Sequence, residues 1–142
     1  MQYRKIPKTG DELSILGFGC MRLPEKRGKI DEKKAEKQLF MAIEKGVNYF
    51  DTAMPYHMGT SETFLGKTLS GGGVRKKIKL ATKLPPWSVN QKEDMEKLIV
   101  AQLKNLRTDY IDYYLLHALN GESFKKMEGF EVFEFLSKLK AN

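Results

Sequence analysis

Short runs of apolar residues alternate along this chain with segments whose apolar positions recur every three or four residues. The first pattern marks buried strands and the second marks amphipathic helices. Residues 3–6 and 13–16 are short extended segments around Pro7-Lys8-Thr9-Gly10-Asp11, turn chemistry that predicts a small hairpin. Residues 16–20 form a short strand carrying Gly17 and Gly19, and glycine at a strand end lets a ligand or another backbone approach closely. Asp31 caps a helix running to about Lys45, with Ala35, Leu39, Ala42 and Ile43 on one face. Gly46 ends it as a left-handed cap.

The alternation continues with a strand over 47–51 and a helix that starts at Thr60 or Ser61. That helix carries Phe64, Leu65 and Leu69, and Gly71-Gly72-Gly73 breaks it. A strand over 78–83 is stopped by Leu84-Pro85-Pro86. Asn90 with Glu93 resembles a capping box opening the next helix. Its stripe is Met95, Leu98, Ile99, Leu103 and Leu106, with Gln102 as the one polar member. Residues 110–117 form a continuous apolar-aromatic strand, and a last helix spans 129–140 with Val132, Phe133, Leu136 and Leu139. A hairpin followed by four β-α units predicts parallel strands with right-handed crossovers. The expectation is a single α/β unit over 1–142, with no internal linker or repeat.

Bulk properties narrow the picture. The chain has 142 residues, 41% of them hydrophobic, which is globular composition rather than disorder. A net charge of +7 comes from lysines scattered along the whole chain. Scattered charge makes a solvated surface rather than a nucleic-acid footprint, so no nucleic-acid partner is expected. No apolar stretch is long enough for a bilayer, and Met1-Gln2-Tyr3-Arg4-Lys5-Ile6-Pro7 has no apolar signal core. A membrane association is therefore not expected, and the cytoplasm is the default location. The single cysteine, Cys20, excludes an intramolecular disulfide framework and is expected as a buried reduced thiol. His57 and His117 have no third ligand at helical spacing, so no metal site is expected.

The candidate chemistry sits at successive strand ends. Asp51 and Lys83 close two strands, His117 closes a third, and Tyr56 follows Asp51 in the loop. Each alone has a plainer reading: a turn carboxylate, a loop aromatic, a solvated lysine, an interior histidine. Their joint placement is what parallel βα units gather around one site. If the strands are neighbours, Asp51 and Lys83 form an ion pair. A phenol is a poor acid at neutral pH, and an adjacent ammonium stabilises its phenolate. The imidazole would orient a substrate carbonyl. This is general-acid catalysis of carbonyl reduction, and because no side chain supplies hydride it implies a nicotinamide cofactor. Gly71-Gly72-Gly73-Val74-Arg75-Lys76-Lys77 precedes a strand rather than opening a helix, so it is a loop and not a phosphate cradle.

At these residues the sequence resembles the aldo/keto reductase family. The matching segments are Leu16-Gly17-Phe18-Gly19-Cys20-Met21-Arg22-Leu23-Pro24, Asn48-Tyr49-Phe50-Asp51-Thr52-Ala53 with Tyr56, Leu80-Ala81-Thr82-Lys83, and Asp112-Tyr113-Tyr114-Leu115-Leu116-His117. The resemblance implies the N-terminal half of a (β/α)8 TIM barrel, about four βα units preceded by a short β-hairpin. It implies Tyr56 as proton donor, Asp51 and Lys83 as its tuning pair, and His117 as the carbonyl-orienting group. Gly19, Met21 and Asp51 would lie against the cofactor, NADPH, and a small carbonyl compound would be the substrate. A complete barrel of this type takes roughly 250 residues. Most of the cofactor site is therefore expected outside this chain, which would be inactive or weakly active alone. The opening residues and Leu-Leu-His-Ala-Leu-Asn look closest to members with a C-terminal iron–sulfur ferredoxin-like region; a cluster would belong only to that region. Open half-barrel edges predict a homo-oligomer. The alternative is a non-catalytic nucleotide-binding or regulatory module on the same scaffold.

Overall fold

The computed structural model describes residues 1–141. Strand β1 (Tyr3–Lys5) pairs antiparallel with β2 (Glu12–Ser14), which is the expected hairpin. Four further strands form one parallel sheet: β3 (Phe18–Gly19), β6 (Tyr49–Asp51), β7 (Lys79–Leu84) and β8 (Tyr113–Leu116), in that spatial order. Helix α1 (Glu32–Glu44) links β3 to β6, α2 (Ser61–Leu69) links β6 to β7, and α3 (Glu93–Leu106) links β7 to β8. Sequence order and spatial order coincide within the sheet, as expected for consecutive βα units. The fold is α/β, and the sheet with its outer helices is a partial barrel.

Local chemistry explains the boundaries. The Asp31 carboxylate accepts from Lys34 N and caps α1. Gly46, at φ 87°, donates to Ile43 O and ends that helix. A Cβ at Gly66 in α2 would lie 2.1 Å from Asn105 O of α3, so only glycine permits this helix approach. Strand β7 alternates cleanly: Lys79, Ala81 and Lys83 share one face, while Leu80, Thr82 and Leu84 share the other. One buried cluster joins Leu39, Phe50, Leu65 and Leu80 behind the sheet; a second joins Leu84, Val89, Met95, Met127 and Val132.

Four expectations need correction. The first-strand segment 16–20 is regular only at Phe18–Gly19, and Leu16 is exposed. The 110–117 segment is regular only over Tyr113–Leu116, because the Asp112 carboxylate, not its backbone, takes the Leu80 N–H. Asn90 does not cap α3: the Asp94 carboxylate accepts from Asn90 N and Gln91 N instead. The last helix, expected over 129–140, starts only at Val132 and is preceded by a helix that was not expected: α4 (Gly121–Gly129) comes first and α5 (Val132–Ala141) follows, with Glu131 at φ 57° between them. A second hairpin, β4 (Glu25–Lys26) with β5 (Lys29–Ile30), was not expected.

Candidate active site

The parallel sheet sends every strand's C-terminal end to one rim, and the four candidate side chains meet there. Lys83 Nζ lies 2.6 Å from Asp51 Oδ1, 2.8 Å from Thr52 O and 3.2 Å from Tyr56 Oη. Three acceptors use all three donor positions of an ammonium. The expected Asp51–Lys83 pair is thus formed, and both side chains are largely withdrawn from solvent. Lys83 Nζ also lies 4.8 Å from the centre of the Tyr56 ring.

His117 follows β8 and donates its backbone N–H to Leu84 O. Its ring meets Tyr56 edge-on, with centroids 5.7 Å apart. His117 Nδ1 is buried and has no hydrogen-bond partner among the described residues. Burial, aided by the Lys83 charge and opposed by Asp51, pulls the imidazole below its ordinary pKa. At neutral pH the ring is therefore neutral, with one N–H to donate.

The loop carrying Tyr56 is fixed from several directions. Tyr56 N donates to Ala53 O, and Tyr56 O accepts from Gly59 N and Ser61 N. His57, in the left-handed region at φ 51°, turns its ring away from the rim. Its Nε2 accepts from Leu23 N at 3.0 Å and its Nδ1 lies 2.8 Å from Glu25. His57 thus ties the loop to β4. A cavity of about 620 Å³ lies beside it, between the β4–β5 turn and α1–α2, and none of Asp51, Tyr56, Lys83 and His117 lines it.

Sequence reasoning missed two members of the rim. Thr52 contributes a backbone carbonyl, which no residue type signals. Trp87, in a short turn after Pro85-Pro86, stands half-exposed with its ring 5.0 Å from that of His117. It is the only tryptophan, and its position just past β7 was the available clue. Of the remaining candidates, Gly19 ends β3, and Met21 sits exposed in the turn that follows. A side chain at Gly19 would meet nothing within 4 Å, so the backbone there is open to a ligand. Cys20 is wholly buried, and burial pushes its thiol up to about 12. It is a buried free thiol, as expected, and burial keeps it protonated at neutral pH.

The family model for the aldo/keto reductases matches residues 15–142. The chain belongs to the aldo/keto reductase family. The aldo-keto reductase YhdN of Bacillus subtilis is 34% identical over 125 residues, covering 82% of this chain and 38% of that protein. Among solved structures, the putative aldo-keto reductase PA4992 of Pseudomonas aeruginosa is 30% identical with a TM-score of 0.82, covering 98% of this chain and 56% of that one. An aldo-keto reductase of Klebsiella pneumoniae in complex with NADPH is 26% identical with a TM-score of 0.70, covering 91% of this chain and 45% of that one. The chain therefore spans about half the length of these relatives or less. Among the described residues, no helix is long and apolar enough to cross a membrane.

Proposed function

We propose that this chain carries the proton-donating part of an NADPH-dependent reductase site that takes a small aldehyde or ketone. The observation that carries the reading is the contact of Lys83 Nζ with both Asp51 and Tyr56. Tyr56 Oη gives its proton to the carbonyl oxygen, and the Lys83 ammonium stabilises the phenolate left behind. Asp51 and Thr52 O hold that ammonium in place. His117, neutral at working pH, donates its N–H to the same oxygen and sets the carbonyl's orientation. Trp87 walls one side of the rim. NADPH, when bound, supplies the hydride to the carbonyl carbon. Open Gly19 backbone, the exposed Met21 thioether and Asp51 are the residues of this chain that would lie along it.

The chain's span bears on activity. We place the rest of the cofactor site outside it, so that this chain alone is inactive or weakly active. Strands β3 and β8 each have one unpaired edge among the described residues, and unpaired edges favour association. A homo-oligomer joined through those edges is our reading, with the cytoplasm as its location. An iron–sulfur cluster would not be held by the residues of this chain. The short span also favours a second reading, a nucleotide-binding module without turnover.

Titration of NADPH fluorescence, followed by turnover with an aldehyde, tests the proposal. Micromolar binding with turnover that Tyr56→Phe lowers roughly a hundred- to ten-thousand-fold supports the reductase. Binding without turnover supports the module. No binding up to millimolar NADPH shows that the cofactor site is not assembled on this chain.

A further inference from the structure

Behind β7, on the face opposite Lys83, lies a polar cluster that the proton transfer does not use. Glu62, in the first turn of α2, is 1% exposed, and no cation pairs with it among the described residues. Its Oε1 accepts from the Thr82 hydroxyl at 2.7 Å and from Gln102 Nε2 at 2.8 Å. Gln102, from α3, also donates to the backbone carbonyl of Lys83 at 3.0 Å. Gln102 Oε1 in turn accepts from the Tyr114 hydroxyl of β8 at 2.7 Å. The neighbouring Ser61 bonds Thr52 Oγ1 at 2.9 Å and reaches Cys20 O at 3.3 Å. The cluster therefore touches β7 near its C-terminal end, the residues that directly follow β3 and β6, and Tyr114 within β8.

A buried carboxylate and a buried amide are costly in a helix–sheet interface where apolar residues would pack. The α2 N-terminus and three donors offset part of that cost. What the cluster achieves is directional. The position of Lys83 Nζ depends on two backbone units: that of Lys83 itself and that of Thr52, whose carbonyl is one of its acceptors. Gln102 grips the first directly at its carbonyl, and Ser61 restrains the second through the Thr52 side-chain hydroxyl. A satisfied buried network fixes one geometry where apolar packing tolerates several.

We propose that Glu62 and Gln102 are positioning residues: they hold the end of β7 so that the Lys83 ammonium meets Tyr56 Oη. This inference rests on the reading of Tyr56 as a proton donor supported by Lys83. The test is acylation of the intact chain by acetic anhydride, with site-resolved mass spectrometry and no cofactor. Lys79 lies on the same strand and face at its other end, paired with Asp11 and Asp112, and reports general loosening. Gln102→Leu is expected to raise the Lys83-to-Lys79 labelling ratio about tenfold, the loss of roughly one buried hydrogen bond. Thr82→Val should raise it a few-fold, while Thr82→Ser, which keeps the hydroxyl, should leave it unchanged. An unchanged ratio in Thr82→Val overturns the proposal, even if Gln102→Leu fails to fold. So does an equal rise at both lysines, which would mark a purely structural role. A raised ratio in a chain that binds no NADPH upholds the positioning and counts against the cofactor reading alone.

Discussion

Strand β7 presents two lysines to the same face, Lys79 at its start and Lys83 near its end, and their surroundings differ. Lys79 lies 2.7 Å from Asp11 and 3.4 Å from Asp112. Tyr113 donates its hydroxyl to Asp11 at 2.7 Å, and Arg75 lies 2.8 Å from Asp112. There Lys79, Asp11, Asp112 and Arg75 each meet an opposite charge, and the β1–β2 turn is latched onto the sheet. Lys83 meets one carboxylate, one carbonyl and one phenol. Its third partner is a group that can lose a proton and gain a charge. The same residue type on the same face is a latch at one rim and, in the function we propose, an electrostatic support for Tyr56 at the other. The partners, not the lysine, make the difference.

The comparison breaks most visibly at Arg75. Its guanidinium and the Asp112 carboxylate are both about nine-tenths buried. It also donates to Ile78 O, Tyr110 O and Thr108 Oγ1, and stacks on the Tyr110 ring at 3.9 Å. Removing one partner of a buried pair costs ~3–5 kcal/mol where the charge left behind is uncompensated; Asp112 would keep Lys79 at 3.4 Å and the Leu80 N–H, which places the loss at the low end of that range. Arg75→Met should lose that much in urea unfolding. Asp51→Asn, at the more open rim, should lose only about 1 kcal/mol while disturbing Lys83. Equal losses would mean that the two rims do not divide stability and chemistry as described.

A smaller effect sharpens the latch. Asp11 is held at about 2, first by its bond to Lys79 and then by the Tyr113 hydroxyl, against 3.8 when unperturbed. Its folded pKa is depressed, so the unfolded chain binds more protons between these values. The stabilisation is complete above about pH 4 and is lost as pH falls through about 2. In urea titrations, the stability gap between the parent chain and Asp11→Asn should therefore close on acidification. A gap that stays constant down to pH 2 would show that the carboxylate charge of Asp11 is not what fastens the turn.

The sequence made the rim legible because each candidate followed a buried run, and consecutive βα units put those runs side by side. Asp51, Lys83 and His117 needed only that rule. Other features were hidden by unusual local chemistry. The β4–β5 turn uses Arg27 and Gly28, at φ 55° and 72°, in place of the Asn-Gly pair that signals such turns. The start of α4 uses Asn120 with Ser123 three positions on, each accepting the other's backbone N–H, rather than a glutamate. Gln102 stood out as the polar break in an apolar stripe, yet its partners Glu62, Thr82 and Tyr114 lie on three other elements. Only tertiary packing brings those together. Thr52 O was out of reach for a different reason, since an acceptor on the backbone leaves no trace in residue identity.

The smallest expected effect returns to the rim of Lys83 and His117. Burial is the main cause that lowers the His117 pKa from 6.5, Lys83 adds to it and Asp51 opposes it. Removing the Lys83 charge should therefore raise the His117 pKa, but only part of the way back. Removing the Asp51 charge should lower it further. Imidazole proton resonances followed against pH in Lys83→Met and Asp51→Asn would show the two shifts with opposite signs. The linkage has a definite direction as well. Because the folded ring resists protonation, its contribution to stability is present above 6.5 and lost as pH falls through its lower folded value. His117→Gln should remove that acid-side loss while leaving the latch around Lys79 untouched. If both charge variants move His117 in the same direction, the ring senses the packing of the rim rather than its charges, and the electrostatic account of this end of β7 fails.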